Sequence, residues 1–263
     1  MNPGDNGGDS GRPGRAVLDK LLTVYGRKPV RETLLDASLS CHALHLAHSN
    51  REGPIIAEIR QLAQDRGLPL KMHSRESLAR ISRNGRQDQG VALDVLCPAF
   101  GTLGDYLLHS ATAGKRRLLA LDGITNPQNL GMLIRSAAAG AIDGILIPRK
   151  GNASLGPLVI KASAGTVFHA PLLACDGLES GLALCREHGA EVCILSAEAG
   201  QSLFQHREAD FSVYVLGNES EGVSGAARSL ADRALSIPMR NGVESLNVAV
   251  TASLIAYATY FDR

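Results

Sequence analysis

The spacing of apolar residues along the chain changes period many times, and each change marks an element. Residues 24–35 read as a short strand, a turn at Gly26 and a helix opening near Pro29. Residues 41–47 alternate as a strand does. Between 55 and 66, Ile55, Ile56, Ile59, Leu62 and Ala63 fall on one helical face, and the run stops at Gly67. A short strand over 69–72, a short helix over 74–81 and a strand over 90–96 complete a compact α/β unit. Residues 98–115, with Gly101, Gly104 and Gly114 around a helical piece at 103–110, read as a connection.

From Arg117 onward, apolar runs alternate with helical periods. The runs at 118–121, 142–147, 167–173, 192–195, 211–216 and 234–237 predict strands. Helices are predicted over 127–139, 158–164, 178–188, 226–231 and 246–260. Such alternation predicts a parallel sheet with helices on both faces, and its ligands are expected in the loops after the strands.

Composition supports this picture. Hydrophobic residues make up 44% of the 263, aromatics only 4%, and there is no Trp. The core must then be aliphatic, as parallel sheets usually are. No run nears the ~20 apolar residues that span a bilayer, so no membrane association is expected. Residues 1–14 are polar and Gly-rich, unlike a secretory signal, and read as a disordered tail. Five cysteines without C-x-x-C spacing argue against disulfides or a thiolate zinc site and point to a reducing cytoplasm.

Net charge is +1, unevenly spread. Residues 15–95 hold 13 Lys/Arg against 9 Asp/Glu, whereas 96–263 hold 13 against 15. A basic front and an acidic back suit an RNA-contacting module joined to a catalytic one. Dinucleotide and P-loop fingerprints are absent. The stretch Cys41, His42, His45, His48 invites a metal reading if helical. As a strand it would turn His45 away from His42 and His48, and no metal site is assigned.

Three loops stand out. In Asn126-Pro127-Gln-Asn129, Asn126 is placed to cap a helix with Pro127 at its first position. Asn129 then falls in the first turn and Arg135 nearly two turns on. Gly131 inside this helix costs ~1 kcal/mol against Ala unless another backbone comes close. Gly217-Asn218-Glu219 follows a predicted buried strand. The third loop leads from Ile237 to Ser245, a candidate cap for the last helix, with Asn247 in that helix's first turn. Singly, each loop has a plainer reading as a cap, a surface arginine or an acidic turn.

Together, NPQNLGMLIRSA, LGNESEGV and IPMRNGVESLNVAV, in this order and spacing, resemble the three signature motifs of the SpoU (TrmH-type) branch of the SPOUT RNA methyltransferases. The front segment, through VYGRKPVRETL and Gln89-Gly-Val91, is similar to the small ribosomal-protein-like domain found before the catalytic domain in ribosomal RNA 2′-O-methyltransferases. Two departures are Asp88, where His is expected, and Asn126, where many relatives have Asp.

The resemblance implies an α/β fold: a C-terminal parallel-sheet trefoil-knot (SPOUT) methyltransferase domain at 116–263, a linker at 97–115, and a small α/β RNA-binding domain at 15–96. It implies S-adenosylmethionine as cofactor, held near Leu216, Gly217, Asn218, Ile237, Met239, Ser245, Leu246 and Asn247. Arg135, Asn129, Glu219, Ser245 and Asn247 would serve the chemistry, and Arg27, Lys28, Arg31 and Arg135 the RNA. The implied reaction methylates a ribose 2′-hydroxyl of RNA, ribosomal rather than transfer RNA, by a homodimer that needs no metal. A guanidinium releases its proton with difficulty, so Arg135 is read as an orienting, charge-stabilising group. A transfer-RNA substrate and a catalytically silent RNA-binding or ribosome-assembly protein are the alternatives.

Overall fold

The computed structural model describes residues 20–109 and 114–260. The tail at 1–14 lies outside the described residues. Nearest the N-terminus come β1 (Leu21–Tyr25), α1 (Arg27–Leu35), β2 (Ser40–Ala47), α2 (Pro54–Asp65), β3 (Leu70–His73), α3 (Arg75–Ser82) and β4 (Val91–Leu96). Their sheet has the order β1-β4-β2-β3, with β4 antiparallel to β1 and β2, and β3 parallel to β2. Val24, Leu44, Leu46 and Leu93 bury against Val30 and Leu34 of α1 and Ile56 and Ile59 of α2. On the sheet's other side, Leu78 of α3 meets Tyr25, Ala47 and Ala92.

Helix α1 opens two residues before Pro29. Gly26 sits at φ 92, a conformation that favours glycine. It offers no side-chain cap, and Gln89 Oε1 instead accepts the Arg27 backbone N–H at 3.0 Å. Residues 41–47 lie in a strand, as the alternation predicts. His45 is buried, 3.1 Å from Asp94 and 3.0 Å from His73, while His48 is exposed. The helical zinc reading of this stretch therefore does not apply.

The second sheet has eight strands, all parallel, in the order β10-β12-β9-β11-β6-β7-β8-β5. In chain order its elements are β5 (Gly101–Thr102), α4 (Leu103–His109), β6 (Arg116–Leu121), α5 (Pro127–Ala139), β7 (Gly144–Pro148), α6 (Pro157–Ala162), β8 (Leu172–Cys175), α7 (Leu178–Glu187) and β9 (Glu191–Leu195). There follow β10 (Gln201–Ser202), β11 (Phe211–Leu216), α8 (Gly225–Leu230), β12 (Arg233–Ser236) and α9 (Val248–Tyr257). Along β6 the side chains alternate between two cores. Leu119 and Leu121 pack with α5 and α9, whereas Leu118 and Ala120 pack with α4, α7 and α8. That is why these strands read as unbroken apolar runs.

Three sequence expectations are corrected. Residues 167–173 do not form one strand: Thr166–Phe168 is a 3₁₀ turn after Gly165 (φ 79), and β8 begins at Leu172. Val167 and Phe168 are apolar because they fill the helix-side core. The segment read as a connection carries the edge strand β5, paired with β8, and helix α4. The last helix begins at Val248, so Ser245 does not cap it. Asn247 has extended backbone and accepts the Ala249 N–H at 2.9 Å on its side-chain oxygen, which makes it the cap.

Candidate active site

Strands β12, β9 and β11 are neighbours, and the loops beyond their carboxyl ends enclose a cavity of about 190 Å³. Its walls combine apolar Leu195, Leu216, Val223, Ile237 and Val248 with polar Ser196, Asn218, Glu219, Glu244 and Ser245. Gly217 lies in a reversal so tight that a Cβ there would run into the backbone of Gly222 and Val223. The loop closes through a pair of backbone hydrogen bonds between Asn218 and Gly222, at 3.0 and 2.8 Å.

This loop is pinned to the one after β6. Asn218 Nδ2 donates to the Gly123 carbonyl at 2.8 Å, and the Ser224 N–H donates to Asp122 Oδ2 at 2.6 Å. Beside them Asn126 caps α5 as expected, accepting from the N–H groups of Gln128 and Asn129. The helix then packs on α6 at Gly131, where a Cβ would lie 2.6 Å from Ala162 Cβ and 2.7 Å from the Val159 carbonyl oxygen. Close backbone approach thus explains the glycine.

A chain of polar side chains joins all three loops at the rim. Asn247 Nδ2 donates to Asn129 Oδ1 at 3.0 Å, and Asn129 Nδ2 donates to Glu219 Oε1. Of the residues expected at a cofactor, Leu216, Gly217, Asn218, Ile237, Met239, Ser245 and Leu246 line the cavity. Asn247 does not; its side chain is taken up by the cap and by Asn129. Arg135 stands apart, exposed on the outer face of α5 with exposed Met132 one turn before it, and it makes no hydrogen bond or ion pair with another described residue. The sequence reading missed Ser196 and Ala197. They follow β9, and only their place after a strand, not a motif, could have marked them.

A second, larger cavity of about 780 Å³ lies between the two sheets' units. Tyr25, Arg27, Lys28, Asn84 and Gln89 line one side, and Thr125, Pro127, Ser154, Pro157 and Leu158 the other. Arg27 donates to Asn50 Oδ1 at 3.2 Å, while its Nε is buried without a partner. Lys28 is exposed there. Arg31, grouped with them by sequence, is instead paired with Glu58 at 2.7 Å and does not line the cleft. Asp88 is buried and accepts from Ser82 Oγ at 2.8 Å and the Gly90 N–H at 2.9 Å. It thereby shapes the turn that presents Gln89.

No helix among the described residues is long and apolar enough to cross a membrane. Comparison with known proteins agrees with the geometry. Residues 23–96 match the model of an RNA 2′-O ribose methyltransferase substrate-binding domain. An uncharacterized tRNA/rRNA methyltransferase of Mycobacterium ulcerans is 32% identical over 93% of this chain and 78% of its own length; that of Mycolicibacterium smegmatis, also uncharacterized, is 34% identical over 93% and 77%. The fold is shared with the AdoMet-bound rRNA methyltransferase from Sinorhizobium meliloti (TM-score 0.62, 20% identity, 91% of this chain and 86% of that one). It is also shared with the SpoU methyltransferase AviRb from Streptomyces viridochromogenes, solved with AdoMet (TM-score 0.60, 21% identity, 96% and 94%). With residues 116–257, which hold all three loops of the cavity and its rim, matching the SpoU rRNA methylase model, the chain belongs to the SpoU rRNA methylase family.

Proposed function

We propose that the protein transfers a methyl group from S-adenosylmethionine to a ribose 2′-hydroxyl of RNA, with ribosomal RNA the favoured substrate. The observation that carries this reading is the Asn247–Asn129–Glu219 chain, which joins three distant segments at the rim of the strand-end cavity. The cavity's donor set fits the cofactor. Apolar Leu216, Ile237 and Val248 suit an adenine, and Glu219 and Glu244 suit the cationic methionine part. When bound, the cofactor supplies a methyl group activated on a sulfonium.

The chain's residues have three tasks. Backbone and side chains from Leu216 to Asn218 and from Ile237 to Leu246 hold the methyl donor in a partly dry slot, where charge neutralisation along the reaction is favoured. The rim asparagines and Glu219 fix the ribose edge, since alignment of two reactants can supply ~7–11 kcal/mol of a barrier. Arg135 orients the hydroxyl or its phosphate. Its exposed face, with Met132 on α5 and with Val250 and Tyr257 exposed on α9, supports a homodimer in which a second chain brings Arg135 to a cavity.

We divide the chain into a substrate domain at 15–96 and a catalytic domain at 116–263, to whose sheet β5 and α4 of the connecting segment add an edge, and which closes as a trefoil knot by threading 237–247. The larger cleft would receive an RNA segment, with the Arg27 and Lys28 side chains that line it meeting phosphates. Incubating the protein with labelled cofactor and separate pools of ribosomal and transfer RNA tests this. Label in alkali-resistant dinucleotides from ribosomal RNA is the expected result. Label on bases, or none in either pool, overturns it.

A further inference from the structure

Away from the cofactor cavity, three side chains of different chemistry converge on one point. Glu191 and Cys193 lie two apart on β9 and so share a face of the sheet. His206 follows the 3₁₀ turn Leu203–Gln205. His206 Nε2 is 3.1 Å from Glu191 Oε2, and Cys193 Sγ is 3.9 Å from each of those two atoms. The centre of that triangle is about 2.1 Å from every corner, within the range of Zn–N, Zn–O and Zn–S bonds once an ion sits slightly above the plane. Among the described residues this is the only group of three such ligands so placed.

An ion pair between His206 and Glu191 would account for one side of the triangle. A weak S–H hydrogen bond from Cys193 to Glu191 Oε2 would account for a second, but neither accounts for the fully buried sulfur lying at the same distance from the ring nitrogen. The second carboxylate oxygen, Oε1, is held by Arg233 Nε at 2.9 Å. That contact fixes the carboxylate's orientation and leaves Oε2 for a ligand, an arrangement usual for metal-ligating carboxylates.

We propose that Glu191, Cys193 and His206 form a site for a divalent ion of the zinc class, with water as the fourth ligand. The thiolate, imidazole and carboxylate set suits that borderline ion rather than magnesium or calcium. Glu191 begins β9, whereas the cofactor cavity opens beyond Leu195 at its other end, about 13 Å along the strand. The ion therefore takes no part in methyl transfer. It ties the segment around His206 to the sheet and stabilises the folded chain by mass action. Binding releases the Cys193 thiol proton to solvent.

Cobalt(II) is a suitable probe, because a thiolate ligand gives a near-ultraviolet charge-transfer band and tetrahedral geometry gives strong visible absorption. Tag-free full-length protein, stripped with chelator, is titrated with cobalt chloride and then zinc chloride. Both bands should saturate at one equivalent, and zinc should bleach them and raise Tm. His206→Gln and Glu191→Gln should weaken binding by roughly tenfold or more, and Cys193→Ser should abolish the charge-transfer band; Cys41→Ser should leave it intact. Cobalt binding without a thiolate band, no binding, or a band that survives Cys193→Ser each overturns the proposal. Should Cys193→Ser fail to fold, Cys41→Ser, Cys97→Ser, Cys175→Ser and Cys185→Ser decide instead: a thiolate band kept in all four supports the site, and a band lost in any of them overturns it.

Discussion

Asn247 performs two jobs with the two ends of one amide, and substitution can separate them. Its Oδ1 caps α9 through the Ala249 N–H, and its Nδ2 reaches Asn129 Oδ1. Asn247→Ala removes both. A lost cap costs ~1 kcal/mol, and a hydrogen bond between exposed amides adds about 0.5–1 kcal/mol. At about 2–4 °C per kcal/mol for a chain of this size, Tm should fall by roughly 3–8 °C. Asn247→Asp keeps an acceptor of equal capping strength and adds a charge that the helix N-terminus favours. It loses the donor to Asn129 and sets a carboxylate near Glu219. Its Tm should stay close to wild type, while single-turnover methylation should fall tenfold or more in both variants. Because Asn247 does not line the cavity, cofactor affinity by calorimetry should change only a few-fold. A wild-type rate for Asn247→Asp would refute the idea that the rim chain serves catalysis. An unchanged Tm for Asn247→Ala would refute the cap.

Other expectations are narrower. Arg135→Ala should leave fold and cofactor affinity nearly intact and lower the single-turnover rate, since Ala is the best helix former and the side chain has no partner among the described residues; partial rescue by Lys would assign charge rather than fork geometry. Gly131→Ala would gain ~1 kcal/mol on helix propensity alone, yet its Cβ meets Ala162 and Val159. Overpacking of ~1–3 kcal/mol should win, so a raised melting point would contradict the packing account. Arg27→Gln should weaken RNA binding and flatten its salt dependence by about one phosphate contact, whereas Arg31→Gln should matter less because Arg31 is paired with Glu58; equal effects in filter binding across salt would dismiss the distinction.

Much of the fold was legible because both cores follow period. The strand at Phe211–Leu216 and the helix at Pro127–Ala139 appear with the bounds that their apolar runs and caps predict. Two strands were not legible. Gly101–Thr102 and Gln201–Ser202 have two residues each, too few to show a period, and exist only because the sheet's edges offer partners. At the site, the motifs located the cavity walls but not the bonds across them. Ser245 and Asn247 look alike as caps in sequence, and only the turn of the backbone after Leu246 selects Asn247. The larger cleft was legible only on one side, through Arg27, Lys28 and Gln89; the opposite wall has no sequence signal, since it arises where Gly156 of another unit approaches Tyr25. Glu191, Cys193 and His206 were passed over because their spacing matches no ligand pattern; the fold supplies the convergence.

The stitching of the last helix to the start of β6 and to the turn before β7 has a consequence for biosynthesis. Arg117 at the start of β6 donates to the Ile255 carbonyl near the end of α9, and Ala141 donates to the carbonyl of Ala256. The cap and rim donor, Asn247, arrives only with that helix. A chain still emerging from the ribosome can pair most of its strands, domain by domain from the N-terminus. It holds no finished rim, however, until α9 is free to dock. Truncation after Asn241 should therefore leave a protein without a rim chain, and competence is conferred by the docking of α9 rather than accumulated strand by strand.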